Sequence, residues 1–195
     1  MKAHSFTELK EGFEEIYFVD LQKNKKLAII VNTLAIVIGI IMAVTCHFIV
    51  PVQTLFSFEQ GMLMYFLRFG VLIVSSIAYI VIHELVHAAV MKLYGAQKIN
   101  FGFTGIYAFA GSKEDYFDKF SYIQIALAPL IILGVLLAII NVLVPIEWFW
   151  VVYIIQISNV SGAAGDIFVS CKFAKFPKDI LIKDTGVSMT VYSAK

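Results

Sequence analysis

Four apolar stretches, each close to the roughly 20 residues needed to cross the hydrocarbon core of a bilayer, dictate how this chain can fold. They cover about 27–50, 66–91, 122–144 and 148–169, and Pro51 and Pro145 close the first and third. Hydrocarbon offers no partner to an unpaired backbone N–H or C=O, so an open chain crosses it as helix. The expected fold is an all-α polytopic membrane protein with four transmembrane helices, forming one membrane-embedded domain over residues 1–195. Composition agrees: the chain is 60% hydrophobic, whereas soluble domains are about 45–50% apolar. A net charge of +1 leaves no footprint for nucleic acid. Cys46 and Cys171 lie in separate apolar stretches and read as buried free thiols, not as a disulfide.

Charge asymmetry orients the spans. Lysines precede the first span (Lys23, Lys25, Lys26), follow the second (Lys92, Lys98, Lys113, Lys119) and follow the fourth (Lys172, Lys175, Lys178, Lys183). The opposite loops have none. Lys and Arg accumulate on the cytoplasmic side, so both tails and the 92–121 connection are expected in the cytoplasm of a multi-pass cell-membrane protein. Arg68 reads as a side chain snorkelling to the headgroups, and Trp148 and Trp150 as interface anchors. The stretch from Phe6 to Leu21 reads as an interfacial amphipathic helix or a tail, and the segment after Lys172 as a short extended piece. No basic-then-apolar signal design opens the chain, so the first span reads as retained.

The second span carries His83-Glu84-Leu85-Val86-His87. Two His at i and i+4 share a helix face and can reach one metal ion, and a Glu beside the first His can take a proton from water. Ionisable groups in a membrane span are costly, which argues for a role beyond packing. The alternative is two core His residues hydrogen-bonded to neighbouring helices. Catalytic zinc commonly takes three protein ligands and leaves one position open, so a third is required. A His ten residues after His83 would supply it in one zincin class, but Leu93 stands there. His47 lies at the wrong depth, and His4 in the N-terminal tail. Glu114, Asp115 and Asp118 in the aqueous loop are alternative third ligands, with a solvated cluster as the favoured reading.

Asp166 is the acidic residue inside the fourth span, six residues before Lys172, about 9 Å along a helix axis. His87 precedes Lys92 by five residues and His83 by nine, so the three fall at similar depth. Asp166 is the candidate third ligand, with a hydrogen-bonded structural Asp as the alternative. Asn159, two turns earlier, is a candidate for contacting substrate or stabilising an oxyanion, and a helix-to-helix hydrogen bond is the competing reading. Gly162-Ala163-Ala164-Gly165 allows close helix approach or local unwinding before Asp166.

The 98–112 loop, KINFGFTGIYAFAGS, alternates aromatic and β-branched residues with small ones around Gly102, Gly105 and Gly111. That pattern predicts a short β-hairpin whose edge could pair with an extended substrate strand. A plain amphipathic loop on the membrane is the alternative.

HELVHAAVMKLYGA, then IALAPL, then NVSGAAGD resemble a family of bacterial membrane proteins known as "putative zincin peptidases", a domain-of-unknown-function family similar to site-2-protease-type intramembrane metalloproteases. The resemblance runs from about Leu9 to the C-terminus and implies Zn²⁺ held by His83, His87 and Asp166, with Glu84 as the catalytic base. The site-2 class carries a Pro-rich turn between its Asn and Asp and a Gly after the Asp. Here no Pro separates Asn159 from Asp166, and Ile167 follows. The 92–121 connection is too short for a PDZ domain. The implied function is zinc-dependent hydrolysis of a peptide bond in a membrane-protein or peptide substrate near the cytoplasmic face. The alternative is a non-catalytic metal-binding adaptor, or a degenerate peptidase that holds substrates.

Overall fold

The computed structural model describes residues 5–20, 23–105 and 107–194. Helices occupy Lys25–His47 (α1), Met62–Leu93 (α2), Lys119–Leu143 (α3), Phe149–Gly162 (α4) and Ala164–Ala174 (α5). Four helical segments, Lys25–His47, Met62–Leu93, Lys119–Leu143 and Ile146–Ala174, are long and apolar enough to cross a membrane, which matches the four stretches read from sequence. Their ends follow local chemistry. Asn24 Oδ1 accepts the Leu27 N–H at the start of α1 (3.1 Å), and Asp118 Oδ1 accepts the Ser121 N–H at the start of α3 (2.9 Å). At the other end of α1, His47 Nδ1 accepts the Val52 N–H at 3.1 Å.

The chain is not purely α-helical. Among the described residues, seven strands run over Ser5–Phe6 (β1), Phe13–Asp20 (β2), Asn100–Phe103 (β3), Ala108–Gly111 (β4), Tyr116–Asp118 (β5), Leu181–Asp184 (β6) and Ser188–Ala194 (β7). Five form an antiparallel sheet in the order β1-β5-β6-β7-β2. The N-terminal stretch is therefore strand, not interfacial helix, and the C-terminal piece supplies two paired strands. The predicted hairpin is present as β3–β4, in register from Asn100↔Gly111 to Phe103↔Ala108.

The backbone groups into two compact units. The first comprises residues 1–31, 83–128 and 165–195. Its core joins Phe117, Ile180, Ile182 and Val191 of the sheet region to Val169 and Phe173 of α5, Met91 of α2 and Tyr122 and Ile125 of α3. Lys119 Nζ caps the end of α5 by donating to the Ala174 and Phe176 carbonyls (2.6 and 2.7 Å). Glycine is required where β4 meets the β6–β7 turn. A Cβ on Gly111 would overlap the Gly186 backbone, and a Cβ on Gly102 or Gly186 would strike the Phe109 ring. Asp115 is not solvated: it is buried, and its Oδ2 accepts from Ser112 Oγ (2.5 Å) and the Gln97 N–H (2.9 Å). Cys171 is exposed, contrary to the expected burial, and both thiols are free.

The second unit comprises residues 32–82 and 129–164, with Cys46, Val50, Leu55, Trp150 and Val151 at its centre. Two expected interface residues are interior here. Trp150 is 2% exposed and donates its indole N–H to the Val50 carbonyl at 3.0 Å. Arg68 does not snorkel: it is fully buried and donates to the carbonyls of Thr54 (3.2 Å), Glu147 (3.4 Å) and Ser57. Carbonyls in and beside the short 3-10 helices Val52–Phe56 and Ile146–Trp148 draw it inward. Arg68→Ala should lower stability by about 3 kcal/mol, since three partly buried carbonyls lose a charged donor. Thermal melting in detergent checks this, and an unchanged midpoint would remove the clamp role.

Candidate metal centre

His83 and His87 lie one turn apart on α2, with ring centroids 4.9 Å apart and both side chains buried. Opposite them, helix geometry fails at Ala163 and restarts at Ala164, which places Asp166 in the first turn of α5. That is the local unwinding the Gly162–Gly165 run allows. A carboxylate there is favoured by the unpaired N–H groups of the helix start. Asp166 Oδ2 stands 3.7 Å from His83 Nε2, and Oδ1 stands 3.8 Å from His87 Nε2.

These separations discriminate between a hydrogen-bonded cluster and a ligand set. They exceed the about 2.7–3.2 Å of an N–H···O hydrogen bond. They approach the about 3.4 Å expected between donors that share one tetrahedral zinc ion at 2.0–2.2 Å from each. The three donor atoms all lie within 4.8 Å of one another. Two imidazoles and a carboxylate are also a donor set that suits zinc. The residues fit a zinc ion.

The tautomer of His87 is decided by its other nitrogen. Nδ1 lies 2.9 Å from the Ile125 carbonyl, which can only accept, so Nδ1 carries the proton and Nε2 keeps its lone pair for a metal. The Ile125 carbonyl is free to accept for a reason written in the sequence. Its ladder partner would be the N–H of residue 129, and Pro129 has none.

Glu84 is half-buried beside the His pair, and the Ala110 backbone N–H of β4 donates to its carboxylate. The ribbon that follows α2 thus orients the candidate base. Residues 76–181 match the family described as "putative zincin peptidase", a span that includes His83, Glu84, His87 and Asp166.

The chain belongs to that family. No curated protein and no solved structure matches it. Membership in a zincin family implies zinc, and the His83, His87 and Asp166 group could hold a metal ion. The other acidic and His candidates have local duties. Asp118 caps α3, Glu114 pairs with Lys98 at 3.6 Å, and His47 accepts from Val52, while His4 lies outside the described residues.

Asn159 belongs to the second unit, where its amide is engaged at both ends. Oδ1 accepts from Tyr79 Oη at 3.3 Å, and Nδ2 donates to the Leu130 carbonyl at 3.2 Å. The helix-to-helix bond weighed against substrate contact is present.

Asp184 and Tyr122 form a buried pair in the unit that holds His83 and His87, and neither was singled out in the sequence. Tyr122 donates to Asp184 Oδ2 at 2.8 Å, and the Gly186 N–H donates to Oδ1 at 2.7 Å. Burial pushes the Asp184 carboxyl above its ordinary range, against the pull of both hydrogen bonds. A signal existed: Asp184-Thr185-Gly186 between two short apolar and β-branched runs is a turn pattern, and Asp at its head bonds the backbone two residues on.

Pro129→Ala would restore an N–H to compete for the Ile125 carbonyl. Zinc affinity should then fall about 10-fold, the lower range for an outer-shell partner. The helix itself should gain stability, because Pro costs about 3 kcal/mol in a helix interior. Chelator competition together with thermal melting checks the two effects. Wild-type zinc affinity in this variant would detach Pro129 from the site.

Proposed function

We propose that this protein is a zinc-dependent metallopeptidase that cuts a membrane-associated polypeptide at the boundary between membrane and cytoplasm. The observation that carries the reading is the convergence of His83 Nε2, His87 Nε2 and the Asp166 carboxylate next to Glu84. Zinc held there supplies a Lewis acid for the scissile carbonyl and brings water toward a neutral pKa. Glu84 takes the proton of the attacking water and returns it to the leaving amine. The Ala110 N–H keeps the Glu84 carboxylate turned to that task, and the Ile125 carbonyl holds the His87 ring.

Two features favour a boundary position. The candidate ligands share a unit with a sheet whose edge strands are β1 and β2, and open sheet edges are not tolerated in hydrocarbon. His83 lies ten residues before the end of the 32-residue α2, about 15 Å along its axis. The helix is about 48 Å long and overhangs a core of about 30 Å. Lysine asymmetry supports the cytoplasmic side for this end and for both termini. In this scheme β3–β4 offers an extended substrate a strand edge, since each strand pairs only with the other among the described residues. Strand pairing would hold the substrate unwound, as attack on its peptide bond requires. The HExxH-plus-Asp arrangement resembles that of site-2-type intramembrane metalloproteases.

The test compares membrane proteomes of cells carrying wild type or Glu84→Gln. At least one membrane polypeptide should accumulate uncut with Glu84→Gln and be cleaved by purified zinc-loaded wild type. Stoichiometric zinc with no cleavage difference would overturn the peptidase reading in favour of a metal-binding adaptor.

A further inference from the structure

Asp184 ends β6 at the turn into β7 and is 7% exposed. Three of its polar groups engage three different partners. Oδ2 accepts from Tyr122, Oδ1 from the Gly186 N–H, and the backbone carbonyl from the Ser112 N–H at 2.7 Å. Tyr122 sits in the first turn of α3, three residues before Ile125, whose carbonyl holds the His87 ring. Ser112 directly follows β4, two residues after Ala110, whose N–H reaches Glu84. Both routes end on the candidate site, one on a metal-binding imidazole and the other on the base. Packing alone would favour an apolar side chain here, because burying a carboxylate is costly unless its bonds are needed.

We propose that Asp184 is a positioning residue that sets His87 against Glu84, its carboxylate acting through Tyr122 and its backbone carbonyl holding Ser112. The inference rests on the zinc reading of His83, His87 and Asp166. Tyr122 anchors the turn of α3 that presents the Ile125 carbonyl, so losing the anchor lets the carbonyl drift and the imidazole turn with it. Ser112 holds the end of β4 and thereby the N–H that steers Glu84. Outer-shell groups of this kind commonly account for about 10–100-fold in metal affinity or activity.

The experiment uses full-length protein in detergent and reads zinc affinity by competition with a chromophoric chelator, alongside thermal melting. Asp184→Asn and Tyr122→Phe should each weaken zinc about 10-fold. The double variant should be no weaker than the worse single one, because the Asp184 carboxylate reaches His87 through Tyr122 and neither substitution removes the backbone carbonyl that holds Ser112. Val191→Ala, at a fully buried position in the same core, serves as the control. It should lower the melting midpoint and leave zinc affinity unchanged. Wild-type zinc affinity in Asp184→Asn and Tyr122→Phe, even with earlier melting, would reduce the pair to a structural role. Additive losses in the double variant would break the common route. If Asp184→Asn does not fold, Tyr122→Phe, which removes a single oxygen, decides the matter. His87→Ala separates the two levels of the argument. If it binds zinc as wild type does, or wild type binds none, the zinc reading itself fails.

Discussion

Glu84→Gln should lower turnover about 1,000-fold while zinc binding persists, the middle of the range that a positioned acid–base group supplies. Gln keeps the shape of Glu and can still accept the Ala110 N–H, so the ribbon and the His pair should stay in place. What it cannot do is take a proton. The loss should therefore fall on kcat and leave KM nearly unchanged, because the proton moves only in the transition state. Cleavage assays on purified, zinc-quantified protein measure both. Turnover within about 10-fold of wild type would remove Glu84 from the base role.

Asp166→Ala should weaken zinc by more than about 100-fold, beyond the usual ceiling for outer-shell groups, since it deletes a ligand and the only anionic one of the three. Two neutral imidazoles would remain, one turn apart on a single helix. Asp166→Asn should fall between wild type and Ala, because it keeps an oxygen donor and loses the charge. Chelator competition measures all three proteins. Wild-type affinity in Asp166→Ala would make Asp166 a structural partner of the His pair and leave the zinc with another third ligand.

The four long apolar helices were legible because a membrane would reduce folding to a one-dimensional question. A helix satisfies its own backbone, so length and apolarity suffice, and the observed segments match those read from sequence. The His pair was legible because i and i+4 share a face in any helix. The nearness of Asp166 to the His pair was legible from its spacing to Lys172, which parallels the spacing of His83 and His87 to Lys92. The sheet was not. β5 pairs with one strand that begins more than sixty residues later and with one near the N-terminus, and β2 pairs with β7 across most of the chain. Short strands such as Tyr116–Asp118 have too few residues to show alternation. FEEIYFVD mixes its faces further, since the register shifts between Glu15 and Tyr17.

Arg68 and Asp184 mark the same divide. A charge near the end of a span looks like a headgroup anchor, and an Asp in a polar tail looks solvated. Their roles follow from which carbonyls and hydroxyls non-local contacts bring within about 3 Å. The sequence by itself determined the four apolar helices, the shared face of His83 and His87, and the carbonyl that Pro129 leaves open in α3. Tertiary structure alone decided what meets that carbonyl, how Asp166 approaches two Nε2 atoms, and which strand N–H steers Glu84. Helix periodicity and a missing N–H are properties of a few neighbouring residues. Donor distances in a metal site depend on the packing of segments far apart in the chain.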